Sequence, residues 1–238
     1  MRVIVAADAE AAAHSAAGEL ARACAAAVAE RGQACIALSG GRSPLRAFEL
    51  YARAPLPWAS IVVAQVDERC VPARDARRNV APLQRLLVER GDLPRANLLV
   101  MPVESDDPDR AAVEYAAQLR ERLGHAGEFD MVQLGLGDDG HTASLVPGDP
   151  VLAVDDRDVA VTTHPYRGTR RMTLTYRRLQ AARERLWLVT GVEKVSPLAE
   201  LLAGRGSSPA VHVRREDSIV VTDRASMPLS RESGKGRG

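Results

Sequence analysis

Four short polar clusters contain most of the side chains in this chain that could do chemistry. They are residues 39–43 in L-S-G-G-R-S-P, 67–69 in V-D-E-R-C-V-P, 135–141 in G-L-G-D-D-G-H and 191–194 in G-V-E-K. Each cluster follows an apolar segment of the kind that forms a buried strand. In open parallel sheets, ligands bind outside the carboxyl ends of the strands. We therefore expect these four clusters to meet in one site.

The first cluster has the composition of a phosphate site. Gly40 and Gly41 allow a ligand to approach the backbone closely, and Arg42 adds a permanent positive charge. Ser43 and Pro44 predict the start of a helix, with Ser43 as the N-cap and Pro44 at the first helical position. The open N–H groups of such a helix start attract anions. An ordinary strand-to-helix turn is the alternative, and the Walker pattern of phosphate-binding loops is absent.

The third cluster matches the G-x-G-x-x-G pattern of dinucleotide sites at Gly135, Gly137 and Gly140, and Asp155 lies at a suitable distance for a ribose contact. The crossover helix of such a site would have to fit into residues 141–150, which contain Pro-Gly and are too short. We therefore reject a dinucleotide site. The glycines are expected instead to bend the chain so that a carboxylate and an imidazole face a cleft.

His141 is the candidate general base, because an imidazole titrates near neutrality, and Asp139 is counted with it among the catalytic residues. A solvated or structural histidine is the alternative. The sequence does not support metal binding by this pair, because it has no H-E-x-x-H motif, no paired cysteines and no second histidine nearby. A serine hydrolase lacks the G-x-S-x-G elbow, and Ser144 is expected to cap a helix.

Further charged residues are candidates for substrate contacts. Asp67 and Arg69 point to one side if the strand continues, whereas the intervening glutamate points to the other; a solvated charge run is the alternative. Lys194 could bind phosphate as a point charge or lie on the surface. Of Arg170 and Arg171, we expect one to face the site and the other to face solvent.

These side chains are positioned by alternating helices and strands. Helical spacing and start or stop residues predict helices at 9–31, 45–54, 79–90, 108–123 and near 194–203. Apolar runs predict strands at 34–38, 61–66, 97–101, 129–134, 159–162, 172–176, 186–190 and 218–222. This order predicts an α/β fold with a largely parallel sheet flanked by helices on both faces, open, doubly wound and Rossmann-like. We expect a single domain over 1–238, with a disordered tail at about 230–238.

The amino-acid composition argues against a nucleic-acid-binding protein and against a membrane protein. Lys+Arg number 32 against 31 Asp+Glu, so a net charge of +1 gives no general attraction to nucleic acid or anionic membranes, and 3% aromatic residues leave few rings for base stacking. No apolar run is long enough to span a membrane, and the N-terminal apolar stretch is too short for a signal peptide. Three scattered cysteines favour a reducing compartment. We expect a cytoplasmic protein, monomeric or weakly dimeric, without nucleic-acid or membrane partners.

The four motifs, together with G-L-G-D-D-G-H-T-A-S-L-V-P-G and R-M-T-L-T followed by T-G-V-E-K, resemble the 6-phosphogluconolactonases of the glucosamine-6-phosphate isomerase/6-phosphogluconolactonase superfamily. The resemblance covers roughly residues 10–225. It implies hydrolysis of 6-phospho-D-glucono-1,5-lactone to 6-phosphogluconate, the second step of the oxidative pentose phosphate pathway, without metal or organic cofactor.

By motif match, the resemblance implies that His141 activates water against the lactone carbonyl. Asp67 is implied to orient His141 or the sugar hydroxyls, and Arg69 to contact the substrate and stabilise charge. The groups implied to hold the 6-phosphate are Gly40, Gly41, Arg42, Ser43, Arg171 and Lys194.

The sequence departs from the family pattern at several positions. Arg42-Ser43 replaces the common Ser-Thr, Gln65 an aromatic residue, Arg78 a serine and Val146 a phenylalanine.

Two alternatives stay open beside the lactonase. A glucosamine-6-phosphate deaminase needs a further acid after its D-G-H motif, and this chain has none before Asp149. A non-catalytic sugar-phosphate sensor should carry a helix-turn-helix, for which we find no room before residue 9.

Overall fold

A seven-stranded sheet forms the centre of the computed structural model, which describes residues 1–123 and 127–228. Within these residues the strands in chain order are β1 (Arg2–Ala6), β2 (Ala34–Leu38), β3 (Ile61–Gln65), β4 (Asp67–Arg69), β5 (Leu98–Leu99), β6 (Met131–Leu134), β7 (Val159–Val161), β8 (Arg171–Leu174), β9 (Glu184–Val189) and β10 (Ser218–Asp223). The helices are α1 (Ala9–Arg31), α2 (Leu45–Tyr51), α3 (Val80–Leu83), α4 (Pro108–Arg122), α5 (Tyr176–Gln180) and α6 (Val195–Ala203). A π-helical turn, Gln84–Glu89, extends α3.

The central sheet is parallel, with strand order β1-β10-β9-β6-β2-β3-β5. Strands β2, β3 and β6 are buried along their whole length, because both faces of the sheet are covered. Two-sided burial explains why these strands read as continuous apolar runs rather than as an alternating pattern.

Helices cover both faces of the sheet, which confirms the predicted fold class. On one face, α1 packs on β2, β9 and β10 through alanines and Leu20 that recur at helical spacing. Asp8 caps its first turn, accepting a hydrogen bond from the Ala11 N–H, and Gly32 ends it at a φ of 77°. Helices α4, α5 and α6 contribute to a second core on the other face.

The order of the strands reverses between β2 and β6. The chain runs outward through β2, β3 and β5, and then returns to place β6 on the other side of β2. The segments that follow these two strands, 39–43 and 135–141, therefore leave the sheet side by side. This switch point is where open α/β sheets form their ligand crevice.

A second, antiparallel sheet of three strands, β4-β8-β7, lies beside the first. Strand β4 continues the direction of β3 but pairs with β8, so that Asp67 lies opposite Thr173 and Arg69 opposite Arg171. This small sheet brings two charged segments that are distant in the chain onto one surface.

Several details differ from the sequence prediction. Strand β1 was not predicted, and β5 is shorter than the apolar run at 97–101. Helix α2 has Pro44 at its N-cap without a side-chain cap, so the predicted capping role of Ser43 is wrong. The predicted disordered tail falls outside the described residues. Among the described residues, no helix combines the length and apolar character needed to cross a bilayer.

Candidate active site

A cavity of about 340 Å³ opens at the carboxyl ends of the central strands. All four polar clusters contribute to its lining, together with residues from the loop before β8. The lining residues that the sequence had singled out are Gly40, Gly41, Arg42, Ser43, Asp67, Arg69, His141, Arg171 and Lys194. Asp139 stands directly behind His141. The expected meeting of distant segments therefore exists as a shared cavity.

Asp139 and His141 form a close pair. The Nδ1 atom of His141 lies 2.5 Å from Oδ1 of Asp139, which also accepts a hydrogen bond from the His141 backbone N–H at 3.2 Å. Burial raises the pKa of Asp139, but hydrogen bonds from Tyr166 and His141 outweigh it and lower the pKa to about 2. An ionised carboxylate only accepts hydrogen bonds, so Nδ1 carries the hydrogen and the neutral ring has its lone pair on Nε2.

The glycine at position 137 makes room for this pair. A Cβ atom there would lie 2.1 Å from Nδ1 of His141 and 2.6 Å from Oδ1 of Asp139. The segment after Gly140 contains an isolated bridge and a 3-10 turn, with no crossover helix, in keeping with the rejection of a dinucleotide site. Gly137 therefore serves the carboxylate–imidazole arrangement, whereas a Cβ atom at Gly140 would meet Ser208.

Tyr166 is a site residue that the sequence analysis missed. Its hydroxyl donates a hydrogen bond to Oδ2 of Asp139 at 2.7 Å, and its ring meets the His141 ring edge to face. Burial, and then the bond to Asp139, raise the pKa of Tyr166 to about 12, so the hydroxyl stays a donor at neutral pH. No local motif predicts a role for this tyrosine, because it lies in the loop between β7 and β8, outside the four polar clusters.

Asp67 is buried and held by two neutral donors. Its carboxylate accepts hydrogen bonds from the Ser144 hydroxyl at 2.6 Å and from the Asn79 amide at 3.2 Å. Burial raises the pKa of Asp67, and the bond from Ser144 and the charge of Arg171 oppose this rise. The predicted helix-capping role of Ser144 is therefore wrong. Asp67 has no hydrogen bond to His141, whose orienting partner is Asp139, so its remaining predicted role is toward sugar hydroxyls.

Glu68, the residue between Asp67 and Arg69, is fully buried on the opposite side of β4. It accepts hydrogen bonds from Gln65 and from the backbone N–H groups of Asn79 and Val80, and it lies 3.2 Å from the Arg78 guanidinium. Two departures from the family pattern, Gln65 and Arg78, thus meet at one carboxylate. The motif is part of a buried network rather than a solvated charge run.

Two arginines face each other across the small sheet. Arg69 and Arg171 are direct cross-strand partners, and like charges in that position repel. Arg171 is 5% exposed, burial lowers its pKa, and it forms no ion pair with any described residue. Its Nε atom is buried without a hydrogen-bond partner. Arg170 instead turns outward, donating to the Thr162 carbonyl, which settles which of the two arginines faces the cavity.

The turn after β2 lines the cavity and contains unused backbone donors. The N–H groups of Gly41, Arg42 and Ser43 donate no hydrogen bond to any described residue. Gly40 has no room for a side chain, because a Cβ atom would lie 2.1 Å from the Asn79 amide. Lys194, at the end of the turn after β9, also lines the cavity. In residues 1–123 and 127–228, no group of three or more His, Cys, Asp or Glu side chains could hold a metal ion.

A model of the family described as glucosamine-6-phosphate isomerases/6-phosphogluconolactonase matches residues 7–222. The chain belongs to this family.

Its relatives include proteins named 6-phosphogluconolactonase. The 6-phosphogluconolactonase of a Synechocystis species is 40% identical over 181 residues, covering 74% of this chain and 75% of the relative. That of Pseudomonas putida is 36% identical over 204 residues, covering 83% and 82%.

Solved structures agree with the fold. The crystal structure of 6-phosphogluconolactonase from Thermotoga maritima matches with a TM-score of 0.83 and 26% identity, covering 93% of this chain and 98% of that one. A monomeric glucosamine-6-phosphate deaminase matches with a TM-score of 0.82 at 20% identity. The fold alone therefore does not separate the two activities, and the side chains of the site must do so.

Proposed function

We propose that this chain hydrolyses 6-phospho-D-glucono-1,5-lactone to 6-phosphogluconate, with water activated by His141. The phosphate is held by the cationic wall of the cavity, which consists of residues 40–43, Arg171 and Lys194. The observation that carries the proposal is the common cavity. It joins a carboxylate–imidazole pair to the buried guanidinium of Arg171, which forms no ion pair with any described residue. The 6-phosphogluconolactonase names of the relatives support the same reaction.

The Asp139–His141 pair supplies the base. Water attacks the lactone carbonyl carbon while Nε2 of His141 takes its proton, and Asp139 stabilises the imidazolium that forms. The tetrahedral intermediate then collapses: the bond from the carbonyl carbon to the ring oxygen breaks, and the imidazolium returns its proton to that oxygen. A lactone is an activated ester, so no covalent nucleophile is needed. We assign to Arg69, which lines the cavity, the stabilisation of the negative charge of the intermediate.

A dianionic phosphate bound in the cavity would account for the positively charged side chains that line it. Arg69 and Arg171 repel each other across the strands, and Arg171 is desolvated, interacting with the charge of Asp67 but forming no ion pair with any described residue. A buried charge of this kind is costly unless it is paired, and a phosphate would pair it with charge-assisted hydrogen bonds. Lys194 and the open N–H groups of residues 41–43 supply further donors.

The site lacks the acid that the deaminase reaction requires after the D-G-H motif. Asp149, the next acidic residue, is buried and accepts hydrogen bonds from the backbone N–H groups of Val151, Thr163 and His164. It does not line the cavity. This arrangement favours lactone hydrolysis over amine release.

Freshly generated lactone is the substrate for the test. Hydrolysis releases one proton per turnover at neutral pH, so base uptake at constant pH measures the rate after subtraction of spontaneous hydrolysis. We expect saturable acceleration and 6-phosphogluconate as product, with a much higher KM for the unphosphorylated lactone. Binding without turnover would indicate a sensor, and ammonia release from glucosamine 6-phosphate would indicate a deaminase. Either result overturns the proposal.

A further inference from the structure

The loop between β7 and β8 carries one aromatic ring into the site. The loop folds back on itself through a bridge between Tyr166 and Thr169, with Arg167 and Gly168 at φ values of 51° and 85° in the turn. This tight turn places Tyr166, half-buried, above the Asp139–His141 pair.

Tyr166 touches both functional halves of the cavity. Its hydroxyl donates a hydrogen bond to Oδ2 of Asp139 at 2.7 Å. The other carboxylate oxygen, Oδ1, faces the Nδ1 atom of His141. Its ring centroid lies 5.2 Å from that of His141, at an interplanar angle of 64°. The guanidinium carbon of Arg171 lies 5.0 Å from the same ring centroid.

Resting on the proposed function, we infer that Tyr166 is a positioning residue that couples the base to the phosphate-binding cation. Its hydroxyl fixes the Asp139 carboxylate, and so sets the orientation of His141. Its ring makes a cation–π contact with the Arg171 guanidinium, whose Nε atom is buried without a hydrogen-bond partner and which forms no ion pair with the described residues. One side chain thus aligns both groups.

The charged groups that face Tyr166 are Asp138 and Asp139 from the loop after β6, Arg167 from its own loop and Arg171 from β8. Asp138 and Arg167 neutralise each other in an ion pair of 2.8 Å. The negative charge that the Tyr166 hydroxyl stabilises is therefore that of the Asp139 carboxylate. Without that hydrogen bond, the carboxylate holds the imidazolium more strongly.

The test compares Tyr166→Phe, which removes only the hydroxyl, with Tyr166→Leu, which also removes the ring. In Tyr166→Phe we expect kcat to fall about two- to tenfold at unchanged KM, the range given by one hydrogen bond. The low-pH limb of its activity profile should move to higher pH. In Tyr166→Leu we expect the same loss of kcat and, in addition, a rise of KM of about two- to thirtyfold, because Arg171 loses its cation–π contact.

Tyr176→Phe is the matched control. The Tyr176 hydroxyl also donates a hydrogen bond, to the Pro209 carbonyl at 2.8 Å, and its ring also meets a histidine, His212, edge to face. It does not line the cavity. We expect its kcat, KM and pH profile to equal those of the wild type.

The outcomes separate this inference from the function on which it rests. If the wild type does not hydrolyse the lactone, the proposed function is refuted. If the wild type is active and Tyr166→Phe has the same kcat and the same low-pH limb of the activity profile, the inference is refuted. Partial unfolding lowers the amount of active protein but does not move the limb. NMR titration of the His141 ring needs no turnover: an identical midpoint in wild type and Tyr166→Phe also overturns the inference. A KM in Tyr166→Leu equal to that of Tyr166→Phe refutes the coupling to Arg171.

Discussion

Replacing Asp139 by asparagine tests the base most sharply, because it removes a charge while preserving shape. The carboxylate faces two donors on one side, Nδ1–H and the backbone N–H of His141, and the Tyr166 hydroxyl on the other. An asparagine has one acceptor oxygen. The hydroxyl can rotate to accept from the new amide, so the oxygen stays toward His141 and the tautomer is kept. What disappears is the negative charge that stabilises the imidazolium.

The magnitude follows from Coulomb's law. Two unit charges about 4 Å apart interact by roughly 1 kcal/mol in water and roughly 4 kcal/mol at the effective dielectric constant of a protein surface. The Asp139 side chain is 33% exposed, so the effect falls between these limits. We expect kcat to fall by about fivefold to about a thousandfold. The low-pH limb should move to lower pH, opposite to the shift in Tyr166→Phe.

The neighbouring Asp138 offers a matched control. Asp138→Asn makes the same charge change in the same loop, but this side chain is 58% exposed and pairs with Arg167 rather than with His141. Initial rates across a pH series, measured by base uptake, compare the two variants. Equal losses in both would refute the reasoning, because they would show a general field effect rather than a direct contact.

The remaining predictions concern phosphate binding, loop geometry and acid stability. Arg171→Met should raise KM about ten- to a hundredfold with little change in kcat, whereas the outward-facing Arg170→Met should leave KM near the wild-type value in the same assay. Gly137→Ala should abolish most turnover of a folded protein, since its methyl group would displace His141; circular dichroism and kcat together check this. Because the pKa of Asp139 is lowered from 3.8 to about 2, its contribution to stability is present above about pH 4 and is lost toward pH 2. Urea unfolding at several pH values should show a shallower acid loss in Asp139→Asn than in the wild type, and equal slopes would contradict the assignment.

The fold was predictable because its signals are local. The apolar runs at 34–38, 61–66 and 129–134 contain the fully buried strands β2, β3 and β6, and helical spacing with a terminal Gly32 defined α1 correctly. The carboxyl-end rule for parallel sheets then placed the four clusters around one cavity.

Strands β7 and β8 were predicted at 159–162 and 172–176, but their pairing with β4 in a separate antiparallel sheet was not. The strands of this sheet have three or four residues, and the pairing of β4 with β8 joins segments that are distant in the chain. A short strand does not encode its partner, since register depends on tertiary packing. The pairing of Arg69 with Arg171, the inward direction of Arg171 and the arrival of Tyr166 all depend on this sheet. For the same reason, the bond from Ser144 to Asp67 could not be read from either motif alone.

The chemistry of His141 is the central claim, and the turnover of His141→Ala tests it most directly. With freshly generated 6-phosphogluconolactone, we predict a fall of kcat by about a hundredfold to about ten thousandfold, the usual contribution of a general base. Binding of 6-phosphogluconate, measured by calorimetry, should persist because the cationic wall is intact. A folded His141→Ala protein that hydrolyses the lactone at the wild-type rate would contradict the account.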